Sequence, residues 1–493
     1  MAAIPLASGS LGLAGPVDHI PLGARDLGRA LAFCALIVLL LALAPAGLSA
    51  AGRSLALVGA TVIDGTGAPP IRDAVVVIDG QRIAALGPRG EVPVPEGAEV
   101  VPVDGKWLVP GFVDAHVHFF QSGGLYARPD IIDLRAIRPY PEEIRRTRDR
   151  LPSTLARYLA SGVTSVVDVG GPMWTFGVRK RAKRARFAPR VAVAGPLLAT
   201  AAPPELAGAD PPIVRIGSPE EARAWVRRLL PHAPDLIKIW FVFPGPDIAA
   251  ETAWVRAAVA EAHAAGIPVV AHATQARAAR AMIEASVDVL AHSVDDRPLD
   301  DGLLARMKET GVVYTTTLSV QEGYREVFGR HVRLTEIERR LADPEATASF
   351  DDLDRLPRRV VPSWVGPRRA RPLNPIQAVN LRRVRARGIA IAAGSDAGNI
   401  GTPHGPALHR EMELMAEAGL DPMDILVAAT QGGARVMGRT GELGTLEVGK
   451  LADLVVLDAD PLVDIRNTQR IHRVIKGGEV FDPGEIEAFL RDM

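Results

Sequence analysis

The sequence predicts an α/β fold, a (β/α)8 TIM barrel with a small β-sandwich formed from both chain ends, on three observations. Between about residue 111 and residue 432, short apolar runs alternate with helical stretches. Several of the helical stretches end in glycine immediately before the next run, as in "EAHAAGIPVV" and "KETGVVYTT", the pattern of a helix C-cap leading into a strand. Segments rich in β-branched residues and broken by turn residues flank this centre on both sides. Patterning alone also admits a doubly wound open sheet, and the count of eight repeats favours the barrel.

Taken in order, residues 1–51 stand apart. Arg25 and Arg29 precede "LAFCALIVLLLALAPAGLSAAG", an apolar stretch with small residues around Ser49, Ala50 and Ala51, which reads as a secretory signal peptide. The run from Leu31 to Leu48 is close to the length that spans a bilayer, so a retained membrane anchor is the competing reading. Either way the catalytic part is expected outside the cytoplasm, periplasmic or extracellular. Cys34, the one cysteine, falls in this run without the preceding small residue that a lipid-attachment site needs. The mature chain is then free of cysteine, with no disulfide, and any metal is held by nitrogen and oxygen.

Residues 52–110 are expected to supply the first part of the sandwich, with hairpin punctuation at "DGTG" and "IDGQ". Residues 433–493 supply its second part and a C-terminal tail, through "GTLEVGKLADLVVLDADPLVDI" and "IHRVIKGGEVF". Between them, 111–432 offers eight strands: "GFVDAHVHF", "VTSVVDVG", "RVAVAG", "DLIKIW", "IPVVAHA", "VDVLAHS", "GVVYTTT" and "GIAIAAGSD". Residues 342–377, dense in proline, arginine and acids, interrupt the rhythm and are expected as a long irregular insertion, a pocket cover or simply a solvated loop. The basic stretch at 178–190 reads as the polar face and end of a helix. With 57 basic residues against 57 acidic ones, the net charge of +0 gives no electrostatic case for nucleic acid. Leucine- and alanine-rich helices serve equally as barrel cover or as a homo-oligomer interface.

The informative residues are polar ones set in apolar strands. His116 and His118 repeat with the strand period of two and so face one side of the first strand, a chelating pair. The fourth run contributes Lys238, whose ammonium is costly inside an apolar strand unless neutralised or paired. The fifth contributes His272, the sixth His292 and the eighth Asp396, each toward the C-terminal end of its run, where barrel active sites are built. Six such groups converging on one small volume offer nitrogen and carboxylate ligation suited to Zn²⁺ or a similar divalent ion.

"FVDAHVHF", the strand lysine, "VAHA", "LAHS", "AAGSDAG", "GTPHGPALHREMELMAEAGL" and "LGTLEVGKLADLVVLDADPL" together resemble the amidohydrolase superfamily, in its imidazolonepropionase-like and prolidase-like branch, over about residues 53–485. The resemblance implies that Lys238 carries a carboxyl group and bridges two metal ions. It further implies that His116, His118 and Asp396 hold one ion and His272 and His292 the other. Mononuclear members lack the lysine, and an exported protein fits poorly with imidazolonepropionase chemistry, so a peptidase-like or acyl-amino-acid hydrolase is the leading expectation.

The expected reaction is hydrolysis of a C–N bond in a small amide, dipeptide or cyclic amide by a metal-activated hydroxide. Asp396 moves the proton from water to the leaving nitrogen, and His292 helps polarise the carbonyl if a single ion is present. Substrate contacts are expected from Tyr314, Trp240 and one of Arg368, Arg369 or Arg371, while His404 orients the site or binds a substrate carboxylate. Three alternatives use much the same residues: a lactonase or esterase, a phosphotriesterase-like hydrolase, and a mononuclear cyclic-amide hydrolase. A metal-binding scaffold without activity is disfavoured because none of the six ligands is missing.

Overall fold

Each of the eight expected runs contains a β-strand in the computed structural model, which describes residues 54–242, 247–356 and 373–493. The expectations for residues 1–51, including Cys34, and for Arg368, Arg369 and Arg371 fall outside the described residues. The N-terminal flank forms β1 (Leu55–Val62), β2 (Ile71–Asp79), β3 (Arg82–Pro88), β4 (Glu99–Pro102) and β5 (Trp107–Pro110). The centre forms β6 (Phe112–Val117), β7 (Val163–Asp168), β8 (Arg190–Val193), β9 (Leu197–Ala199), β10 (Ile213–Arg215), β11 (Ile237–Trp240), β12 (Val269–His272), β13 (Val289–Ala291), β14 (Val313–Thr315) and β15 (Ile391–Ala392). The C-terminal flank forms β16 (Leu454–Leu457), β17 (Ile471–Lys476) and β18 (Glu479–Phe481).

Both flanks build one eight-stranded sheet, in the order β18-β17-β16-β5-β1-β2-β3 with β4 on β1. The join is antiparallel, from Leu454 opposite Pro110 to Leu457 opposite Trp107. A fork between the Arg190 guanidinium and the Asp453 carboxylate, at 2.7 and 2.9 Å, ties this sheet to β8.

The central strands are all parallel, in two groups: β6-β7-β8, and β10-β9-β11-β12-β13-β14-β15. Backbone hydrogen bonds connect β6 to the chain around β15: Ala115 N to Ala393 O at 3.0 Å, Asp396 N to His116 O at 2.7 Å, and His118 N to Ala397 O at 2.9 Å. Small and branched side chains from all eight runs, Ala115, Val167, Ala192, Leu236, Val270, Val289, Val313 and Ala392, pack into one cluster. Alternate residues such as Ile239, Ala271, Leu290, Tyr314 and Ile391 belong to a second cluster, shared with the helices. This is the division that a period of two imposes on strands covered on both faces.

The connections follow from local chemistry. Gly311, at φ +71°, ends the helix Asp301–Thr310 in the left-handed conformation that favours glycine, and β14 follows at once. Near the C-terminal end of the central region, the π-turn Ala428–Gly432 lies so close to β15 that a Cβ on Gly432 would stand 2.1 Å from Ile391 O.

Two expectations need correction. The segment from 342 is not irregular where it is described: Asp343 caps the helix Pro344–Ala348, and a 3₁₀ turn follows over Ser349–Arg355. Its Leu353 and Phe350 pack with Leu125, Tyr126, Tyr324 and Phe328 over the loop that follows β6. The short strands β9 and β10 are additions that the sequence pattern did not announce. The basic stretch does end a helix, Phe176–Arg184, with Lys183 and Arg184 exposed in its last turn. Among the described residues, no helix is long and apolar enough to cross a membrane.

Candidate metal centre and active-site cavity

His116, in β6, and His118, just past its end, reach the site together. An irregularity in the pairing of β6 with β7, between Asp114 and Val117, falls at His116, and the two ring centroids are 5.4 Å apart. Asp114, buried, accepts from Ser395 N at 2.9 Å and Ser395 Oγ at 2.5 Å, which locks the first strand to the residue before Asp396. Burial pushes the Asp114 carboxyl up to about 7.

His116 Nε2 and His118 Nε2 lie 3.7 and 3.3 Å from the same oxygen, Asp396 Oδ1. Each of these three residues offers a ligand atom within 4.8 Å of the others. His118 Nδ1 donates to Gly170 O at 2.7 Å, which fixes the tautomer and leaves Nε2 with its lone pair toward Asp396. His292 packs at a tilt against His116 and edge-on against His272, with centroids 4.7 and 4.2 Å apart, and its Nδ1 lies 2.7 Å from Thr317 Oγ1. Lys238 is 1% exposed, and among the described residues its Nζ has no hydrogen-bond partner; nor has either ring nitrogen of His116.

Burial governs the charges. It lowers the Lys238 ammonium from its ordinary range, with Asp396 pulling the other way. It raises Asp396, while Lys238 and Arg128 hold that carboxyl down. All four imidazoles are driven below the normal range by burial first, His118 to about 3, so they are neutral at physiological pH. His292 and Asp396 also have left-handed backbones, φ +73° and +57°, unusual for residues other than glycine and concentrated at functional sites in proteins generally.

The structure thus brings together all six residues singled out at the strand ends. It also puts Trp240 on the wall of the same cavity, edge-on to His272 at 6.2 Å. Tyr314 is corrected: it lies on the outward parity of β14, and its hydroxyl accepts from Val294 N at 2.8 Å. His404 is corrected as a substrate contact too. One ring nitrogen meets Tyr158 OH and the other Gln121 O, both at 2.8 Å, and it stacks on Phe119. It orients the loop after β6.

Several wall residues had no signal that sequence reasoning used. Asn399 Nδ2 donates to Asp396 Oδ1 at 2.7 Å and to Asp396 O, while its Oδ1 accepts from Tyr324 OH at 2.8 Å and from Arg128 Nη1. Arg128 forms a fork with Asp130 at 2.8 and 2.6 Å. Gln121 and Gln377 each carry a buried carbonyl oxygen without a partner on this cavity, whose volume is about 210 Å³.

Strand-end imidazoles, a buried lysine and a carboxylate around one cavity have the composition of a metal site in a hydrolase. Residues 107–481 match the Amidohydrolase family, and the chain belongs to it. It is therefore a hydrolase acting on C–N bonds, in a metal-dependent family that takes small-molecule substrates. The imidazolonepropionase of Rhizorhabdus wittichii is 27% identical over 431 residues, 80% of this chain and 90% of that protein. That of Pseudomonas aeruginosa is 27% identical over 422 residues, 79% and 88%. Among solved structures, a candidate prolidase from Bifidobacterium longum has TM-score 0.64 at 26% identity, covering 90% of this chain and 99% of that one. A Xaa-Pro dipeptidase with methionine bound in its active site shares the fold at 23% identity, with TM-score 0.64 and coverage of 87% and 100%.

Proposed function

We propose that the protein is a metal-dependent hydrolase of C–N amide bonds in dipeptides, Xaa-Pro dipeptides or N-acyl amino acids. In this reading 111–432 is one (β/α)8 barrel and 52–110 with 433–493 one sandwich. Residues 1–51 direct export or anchoring, a reading supported by Arg25 and Arg29 before an apolar run.

The observation that carries the reading is the set of buried orphan atoms at the site: both His116 nitrogens and Lys238 Nζ. A buried polar group without a partner costs free energy, and a cation held by neutral imidazoles and a carboxylate satisfies this set. His116, His118 and Asp396 would hold one Zn²⁺, and His272 and His292 a second, with carboxylated Lys238 between them. Lys238 fits that part because burial favours its free amine. Addition of that amine to CO₂ gives a carbamate and releases a proton, replacing a poorly solvated cation by an anionic oxygen donor. When bound, the ions supply an acidified water and polarise the scissile carbonyl.

The chain's own residues do the rest. Asp396 takes the water proton and hands it to the leaving nitrogen. Asn399 fixes the carboxylate through its amide. The unpartnered oxygens of Gln121 and Gln377 accept from a substrate N–H. A mononuclear cyclic-amide hydrolase is the second reading, favoured by the imidazolonepropionase relatives. A lactonase, esterase or phosphotriesterase-like activity would use the same groups.

Metal content per chain, measured after purification without chelator, separates these. The parent is expected to hold about two ions and Lys238→Ala fewer, with loss of turnover on N-acyl amino acids and Xaa-Pro dipeptides. One ion in both proteins, with activity retained, would sink the bridging role and leave the mononuclear reading.

A further inference from the structure

We infer that the cavity takes, beside the scissile bond, an uncharged apolar group of aryl or branched-alkyl type, selected by Leu206, Ile213 and Trp240. The inference rests on the amide-hydrolase reading and names its substrate class.

The selecting wall is an excursion from the parallel strands. The chain leaves β9 at Thr200 and returns as β10, which pairs in parallel with β9 through Ile213 opposite Leu197 and Arg215 opposite Ala199. An eight-stranded barrel has no need of this extra strand. The proline-rich excursion between them makes one 3₁₀ turn, Pro204–Leu206, and buries Leu206 to 3% exposure. Leu197, Leu206 and Ile213 form a separate apolar cluster, against which Trp240 packs. Trp240 is edge-on to His272, and the cluster and the ligand histidines line the same cavity. A bond held at the histidines therefore brings its flanking group against these side chains.

Charge narrows the class. Apart from the six strand-end residues, the one charged group on the described cavity wall is Arg128, and the fork with Asp130 already neutralises it. The other polar wall residues, such as Gln121, Gln321 and Gln377, are neutral. Against the described wall, an ionised flanking group beside the cluster would lose its hydration without meeting an unpaired counter-charge, whereas an apolar one gains by leaving water.

The test compares kcat/KM of the metal-loaded protein on matched pairs: N-phenylacetyl-glycine with N-succinyl-glycine, and N-acetyl-phenylalanine with N-acetyl-glutamate. The apolar member is expected to be favoured by about 100-fold in at least one pair, and Leu206→Ala or Ile213→Ala to narrow that ratio by about 10-fold, the usual scale for a hydrophobic pocket. Equal rates within both pairs, or an unchanged ratio in variants of parental metal content and circular dichroism, would overturn the inference. If the parent hydrolyses no amide, the amide-hydrolase reading fails by itself, and calorimetry then decides the apolar wall. Tighter binding of benzamide than of 4-carboxybenzamide upholds it; equal or weaker binding overturns it.

Discussion

At the residue scale, the six residues that meet at the strand ends were legible because polar groups are rare inside apolar strands, so each stood out against its neighbours. Tyr314 takes the outer face because one step of strand parity separates the cavity from the helix layer, and neither Val313 nor Thr315 beside it betrays which face is inward. Asn399 and Arg128 were missed because they sit on loops, where no period ties a residue to a direction. Asp168 is a buried group outside the proposed ligand set with a consequence for stability. It accepts from Gly170 N, its Oδ2 has no partner among the described residues, and burial pushes the carboxyl from 3.8 up to about 8. The folded chain therefore holds a proton that the unfolded chain releases, so the stability present below about pH 4 is lost as pH rises toward 8. Asp168→Asn is expected to flatten denaturant-derived stability over that window, with a larger gain over the parent at pH 8 than at pH 5. Parallel curves for the two proteins would contradict this.

At the element scale, the eight strands were readable from apolar runs following glycine C-caps, whereas β9 and β10 are three residues each and flanked by prolines, too short to show a period. The helix Pro344–Ala348 is likewise too short to show a period, and the segment is held by Arg150 on Asp343 and by the packing of Phe350 and Leu353 with Tyr324 and Leu125. The π-turn Ala428–Gly432 illustrates contact that no local pattern encodes. Gly432→Ala would press a methyl group into Ile391 O, at the root of the segment that leads to Asp396, and is expected to cost about 1–3 kcal/mol with loss of bound metal. Gly177→Ala, on an open helix face with nothing within 4 Å of the new Cβ, serves as control and is expected to be neutral or stabilising by up to about 1 kcal/mol. Equal unfolding midpoints for the two variants would contradict the close-approach argument.

At the scale of the whole molecule, the sequence showed that both ends are strand-rich, but not that β16 inserts between β5 and β17, because the partners of a strand are set by distant segments rather than by its own residues. Deletion of residues 454–493 removes β16 and with it the antiparallel partner of β5 and the neighbour of the Arg190–Asp453 fork. The truncated chain is expected to be insoluble on expression, and recovery of a soluble, metal-retaining protein would show the centre to be independent. The same insertion imposes a timetable on the ribosome. Pro110 emerges long before Leu454, and at ~5–20 residues per second the flank of β5 waits on the order of tens of seconds for its partner. For that interval a nascent chain displays an unpaired strand edge of the kind that seeds aggregation.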